Sequence, residues 1–175
     1  MRRPGAAERQ EFKYMCWNTI DTRTLVLVGV IALAILTTTQ QAKSAENLKL
    51  REGISFYQDT DSGFPIVAEK IDDVSPAKDG PTLMFFGASG DLNTNRQARR
   101  LVDLYRKYCS RGLKFVIIDV DNADNAVAKQ LLKEYYRGYI PLAVLLDKKS
   151  QSRWSATGEV ELNVLQNQID RALTP

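Results

Sequence analysis

Apolar and polar positions follow distinct rhythms along this chain. Three continuous apolar runs stand in its second half: Pro81-Thr-Leu-Met-Phe-Phe-Gly, Lys114-Phe-Val-Ile-Ile-Asp-Val-Asp and Ile140-Pro-Leu-Ala-Val-Leu-Leu-Asp. Unbroken runs of this length are expected of strands buried on both faces. Helical spacing fills the intervals. Over Asn95 to Tyr108, the residues Leu101, Val102, Leu104, Tyr105, Tyr108 and Cys109 fall on one broad face at 100° per residue, and Arg96, Arg100, Lys107 and Arg111 on another. Ala126 to Tyr136 repeats the pattern, with Ala128, Leu131, Leu132 and Tyr135 inward, and Arg137-Gly138 is a helix stop. Leu162, Leu165, Ile169 and Leu173 stripe a terminal helix. Lys148-Lys-Ser-Gln is a turn into a more polar strand at Ser152-Arg-Trp-Ser-Ala, which must return antiparallel. Upstream, Ile54–Gln58 and Phe64–Glu69 around Asp59-Thr-Asp-Ser-Gly read as a hairpin, and Ser75–Pro81 as a turn cluster.

From Pro81 the predicted order is β-α-β-α-β-β-α. Strand–helix–strand units imply parallel pairing and right-handed crossovers. The expected architecture is an α/β fold with a mixed central sheet and helices on both faces.

One apolar run lies apart from this core. Leu25 to Leu36 holds twelve residues without a polar side chain, and Thr24 and Thr37–Thr39 extend it to sixteen uncharged residues. A bilayer span takes about 20 residues, with a lower limit near 17. Tyr14 and Trp17 stand upstream, where interfacial aromatics are favoured. The segment reads as a transmembrane signal-anchor over residues 24–40, with a cleaved signal peptide as the alternative. The site after Ala45 suits cleavage poorly because Lys43 occupies the third position back. Lys13 and Arg23, with Arg2, Arg3 and Arg9 further out, bias residues 1–23 toward the cytoplasm. Residues 41–52 are then a polar tether. Residues 53–175 form the domain, facing an extracytoplasmic space such as a periplasm or thylakoid lumen.

Charge and composition narrow the chemistry. Residues 1–40 carry five bases and three acids, and the remaining 19 bases face 18 acids. The body is nearly neutral, so the overall +3 is no argument for nucleic acid. The chain has no histidine, which removes His-dependent triads and nearly all zinc enzymes. Its two cysteines, Cys16 and Cys109, support neither a disulfide scaffold nor a thiolate metal cluster. Asp119, Asp121 and Asp124 with Asn122 and Asn125 lack the glycine and final glutamate of a calcium loop. They read as a strand end followed by a helix cap. No metal or cofactor is expected.

The element order, with a proline opening the third strand, resembles the thioredoxin-like family over about 95 residues from Pro81 onward. Phe86-Gly-Ala-Ser-Gly is similar to the family's strand end, Lys114–Asn122 to its strand ending in Asp, and Tyr135-Tyr-Arg-Gly-Tyr-Ile-Pro to its helix end and cis-proline loop. The anchor adds a likeness to membrane-tethered thioredoxin-like proteins of cyanobacteria and thylakoids.

That resemblance places Asp91-Leu-Asn-Thr94 where the family carries Cys-x-x-Cys, and Phe85 where it carries a buried acid. Dithiol exchange needs one thiolate to attack and a second to resolve, and neither is present. Asp91 and Thr94 instead suit helix capping. Cys109 is expected as a small hydrophobe on the core face, about 27 Å along the helix from Asp91. Juxtamembrane Cys16 is open to palmitoylation.

In the family, the loop before the proline pairs with extended peptides by strand addition. The resemblance therefore implies a groove between Gly90, Asp91, Leu92, Asn93 and Thr94 on one side and Tyr139, Ile140 and Pro141 on the other. A protein or peptide partner would be held there without reaction, with Tyr136, Tyr139 and Trp154 as candidate aromatic anchors. The alternatives are an oxidoreductase or other enzyme of this fold using Cys109, and a structural subunit of a membrane complex.

Overall fold

The computed structural model describes residues 45–69 and 74–174. The expected anchor lies outside the described residues. Among those described, no helix is long and apolar enough to cross a membrane.

The elements follow in the order β1 (Lys49–Leu50), β2 (Ile66–Val67), β3 (Thr82–Gly87), α1 (Leu92–Tyr108), β4 (Lys114–Asp119), α2 (Ala126–Tyr135), β5 (Leu142–Leu146), β6 (Ser152–Thr157) and α3 (Leu162–Leu173). A four-stranded sheet runs β4-β3-β5-β6. The three apolar runs are its inner strands and one edge. All six residues of β3 and all five of β5 are buried.

Alternation along those strands divides the core. Leu83, Phe85, Phe115, Ile117, Ala143 and Leu145 point to one face, where they meet Ala98, Leu101, Leu104 and Tyr108 of α1 and Leu165 and Ile169 of α3. Met84, Phe86, Val116, Ile118, Leu142 and Val144 point to the other, under Ala128 and Leu131 of α2. Helices on both faces explain why these strands read as continuous rather than alternating apolar runs.

Strand direction departs from expectation at β5. β3 and β4 pair in parallel, Leu83 opposite Phe115, as a right-handed β-α-β unit should. β5 is antiparallel to β3, Phe86 opposite Leu142. The connection explains it. β4 ends and β5 begins at the same end of the sheet, so the connection through α2, ten residues or about 15 Å long, brings the chain back to the end it left.

The segment before the sheet also departs from expectation. The expected hairpin of 54–58 with 64–69 does not form. β2 pairs instead with β1, Lys49 opposite Val67. The expected tether is part of the fold from Ala45: Ala45 and Leu48 are buried in the α1–α3 core, and the Tyr105 hydroxyl accepts from Asn47 N at 3.0 Å. Two apolar residues in a polar stretch were enough to seat it, a signal too sparse to show periodicity.

Cys109 is also displaced from its expected place. α1 ends at Tyr108, which is wholly buried, and a 3-10 turn follows over Cys109–Arg111. Adjacent helical residues point about 100° apart. With Tyr108 seated in the core, Cys109 turns out to solvent as a free, exposed thiol.

Candidate functional site

The strand ends of β3 and the start of β5 share one end of the sheet. Continuing the β3–β5 register beyond Phe86 and Leu142 brings Pro141 opposite Gly87, where β3 hands over to the turn leading into α1. The Ile140–Pro141 peptide is cis, and the Pro141 carbonyl accepts from Gly158 N at 2.7 Å.

The α1 side of this end is built for close packing. A Cβ at Gly87 would collide with the Thr94 methyl, so β3 and the first turn of α1 approach as only glycine permits. Gly90 sits at φ +79°, the left-handed region, and turns the chain into the helix. Asp91 is the N-cap: its Oδ2 accepts from Thr94 N at 2.6 Å. Thr94 is fully buried, and its hydroxyl accepts from Ala88 N at 3.4 Å. Leu92 is half-buried and Asn93 exposed. Phe85 is fully buried beneath, in contact range of the Gly87 backbone.

A strap that the sequence did not suggest covers this first turn. Residues 55–60 run across α1, tied by Asn95 Nδ2 donating to Ser55 O at 3.0 Å, Arg96 Nε to Phe56 O at 3.0 Å and Thr60 N to Gly90 O at 3.2 Å. The Arg99 guanidinium stacks over Phe56 at 3.6 Å. Asp59 Oδ1 accepts from Leu92 N at 2.8 Å. Two carboxylates of the chain itself thus occupy the helix N-terminus, whose free N–H groups and dipole favour negative charge. The one signal available was Asp59-Thr-Asp-Ser-Gly, which reads equally well as a turn.

The proline loop is open by contrast. Tyr139 is 70% exposed and Ile140 half-exposed, and no hydrogen bond among the described residues engages the backbone of either. Tyr136 and Trp154, the other aromatic candidates, are each packed partly against a core. The structure therefore brings Gly90–Thr94 and Tyr139–Pro141 to one end of the sheet: Gly90, Leu92 and Thr94 are bonded to the strap or the cap, Asn93 is exposed, Pro141 is buried with its carbonyl taken, and Tyr139 and Ile140 make no backbone hydrogen bond among the described residues.

Beside the strap lies a cleft of about 410 Å³ lined by Phe56, Tyr57, Arg96, Arg99, Arg100 and Glu159. Its arginines tie α1 to the turn before α3: Arg100 meets Glu159 at 2.9 Å and Arg96 meets it at 3.2 Å. Arg111 reaches Asp170 of α3 at 3.1 Å. Three of the four bases expected on a solvated face are thus internal ties. The Asp119 cluster behaves as a strand end and cap. Asp119 accepts from Asp121 N and Asn122 Nδ2, and Asn125 Oδ1 caps α2 through Val127 N and Ala128 N.

The sheet order, the parallel first unit, the antiparallel return and the proline opening β5 make the fold thioredoxin-like. No protein-family model and no curated protein matches the sequence. Solved structures similar to the chain include thioredoxin-2 of the malaria parasite, described as a component of its protein secretion machinery. It shows 18% identity over 53% of this chain and 82% of that one, with a TM-score of 0.45. The Malassezia sympodialis thioredoxin shows 18% identity over 58% and 81%, TM-score 0.47. Mitochondrial thioredoxin 3 of Saccharomyces cerevisiae shows 21% over 54% and 80%, TM-score 0.43.

Proposed function

We propose that this thioredoxin-like domain is a membrane-anchored, redox-inactive binding module that holds an extended protein segment at Tyr139–Ile140 in an extracytoplasmic compartment. The observation that carries it is that the backbone of Tyr139 and Ile140 makes no hydrogen bond among the described residues, beside a Tyr139 that is 70% exposed. Backbone groups left unpaired beside a strand offer a template for strand addition. Asp91 and Thr94 stand in the helix's first turn as capping and packing residues, and the described chain's one thiol, Cys109, is at the far end of a 17-residue helix, about 25 Å away.

The test is a crosslinking pull-down from detergent extracts with the full chain, its Tyr139→Ala variant and its Cys109→Ala variant. Capture that falls with Tyr139→Ala and survives Cys109→Ala supports the module. Capture lost with Cys109→Ala supports the oxidoreductase. Labelling of Cys109 by a thiol reagent does not separate these two, because the thiol is exposed in either case.

The strap favours a second reading, a structural subunit. A chain that fills its own helix N-terminus has given up half of the groove to itself. A stoichiometric, salt-stable partner unaffected by Tyr139→Ala is the outcome expected of a subunit.

A further inference from the structure

The opposite end of the sheet holds a larger cleft, about 760 Å³, that the binding-module reading does not use. Five bases line it: Arg111, Lys148, Lys149, Arg153 and Arg171. Asp79 and Asp147 are the acids of the lining. Asp147 is already committed to the β5–β6 turn, accepting from Lys149 N at 2.8 Å, Gln151 N at 3.0 Å and Arg153 Nε at 2.7 Å. Arg111 is held by Asp170. Lys148, Lys149 and Arg171 are exposed and form no ion pair among the described residues. Leu145, Ala172 and Leu173 contribute an apolar floor.

Helix ends explain part of this charge. α1 and α3 both finish here, and bases at a helix C-terminus are favoured by its dipole. That accounts for Arg111 and Arg171. Lys148 and Lys149 sit on a hairpin turn, which has no such dipole.

The position of the cleft names its occupant. The described chain enters at this half of the domain: Ala45 N donates to Phe115 O, near the start of β4, and Asn47 N to the Tyr105 hydroxyl, near the end of α1. The apolar run ends at Leu36, with only eight residues between it and Ala45. We infer that this basic end of the domain rests on an anionic membrane surface, with Lys148, Lys149 and Arg171 contacting phospholipid headgroups. The inference rests on the anchored reading for its orientation. Basic side chains close to an anionic bilayer are attracted within about a Debye length of the surface, roughly 8 Å at physiological salt. An apolar floor under a basic rim suits the glycerol region beneath the phosphates. The proline loop, at the other end of the sheet, then faces away from the bilayer and stays open to a partner.

Amine footprinting of the full chain reconstituted in vesicles tests this. Flotation with phosphatidylcholine vesicles after an alkaline wash reads the anchor alone. Acylation of Lys148 and Lys149, relative to Lys129 and Lys133 on α2, is then compared in phosphatidylcholine with and without phosphatidylglycerol. The expected result is protection of Lys148 and Lys149 by about fivefold or more in the anionic vesicles, reversed by high salt, with Lys129 and Lys133 unchanged. Equal labelling in both vesicles overturns the proposal. Equal protection by soluble polyglutamate without vesicles also overturns it, in favour of an acidic protein. Should the chain fail to float with phosphatidylcholine, the anchored reading falls, and binding to phosphatidylglycerol vesicles decides the headgroup contact. Binding lost in the Lys148→Glu/Lys149→Glu variant supports it, and no binding overturns it.

Discussion

Removing Asp59 probes the strap where it matters most. The first four N–H groups of α1 lack partners within the helix. Asp91 serves Thr94 N at 2.6 Å, and Asp59 serves Leu92 N at 2.8 Å from thirty-three residues away. In Asp59→Ala the Leu92 N–H turns to water, since the contact is exposed. The loss should therefore fall within the capping range and not reach the cost of a buried unsatisfied donor: about 1 kcal/mol. The other strap ties, from Asn95, Arg96 and Thr60, remain in place. For a domain of this size, 1 kcal/mol lowers Tm by about 4 °C. Asp59→Asn keeps an acceptor oxygen and should lose less. Asp91→Ala should cost a similar amount, and the double variant less than the sum, because both caps hold one turn. Thermal denaturation gives the stabilities, and amide hydrogen exchange at Leu92 and Thr94 gives the sites. Unchanged Tm and unchanged Leu92 protection in Asp59→Ala would refute the claim that the strap caps α1.

Gln97 joins α1 to the segment before α3, its Oε1 accepting from Val160 N at 2.8 Å, and both residues are buried. Gln97→Ala should orphan that N–H and lower unfolding free energy by about 1–3 kcal/mol in denaturant titration. Burial, with the neighbouring Glu134, pushes the Tyr135 hydroxyl up to about 12 from 10.0. The folded state then keeps a proton that the unfolded state releases, so this contribution is intact below pH 10 and lost as pH rises toward 12. Tyr135→Phe should flatten the fall of stability in that window, and phenolate absorbance against pH should lose a component that ionises near pH 12. The full chain should show no insulin-disulfide reduction above the free-thiol background. Turnover abolished by Cys109→Ala would place chemistry at Cys109 instead.

The strongest apolar signals in the sequence translated directly into structure. Runs such as Leu83–Phe86 and Val116–Ile118 have no polar side chain to expose, so only a strand covered on both faces accommodates them. Asn125 and Asp91 were legible as caps because a short acceptor preceded each helical stretch. Other features depend on contacts between distant segments. Whether β5 runs up or down depends on which end of the sheet the connection through α2 returns to, which its periodicity does not encode. Leu48 and Ala45 find the core without an amphipathic pattern, and Asp59 finds Leu92 across thirty-three residues. The exposure of Cys109 turns on where α1 gives way to a 3-10 turn, a boundary of one residue. That Gly90–Thr94 and Tyr139–Pro141 share one end of the sheet was readable from the element order, while the strap over the first of them was not.

Under the proposed function, partners meet this domain at the proline loop without thiol chemistry. A photo-crosslinking amino acid at position 139 of the full chain, compared with one at Lys129 on the exposed face of α2, measures it most directly. A discrete adduct is expected at position 139, absent at 129, unchanged by Cys109→Ala, and with the crosslink on an extended segment of the partner. Adducts equal at both positions, or lost with Cys109, would contradict it.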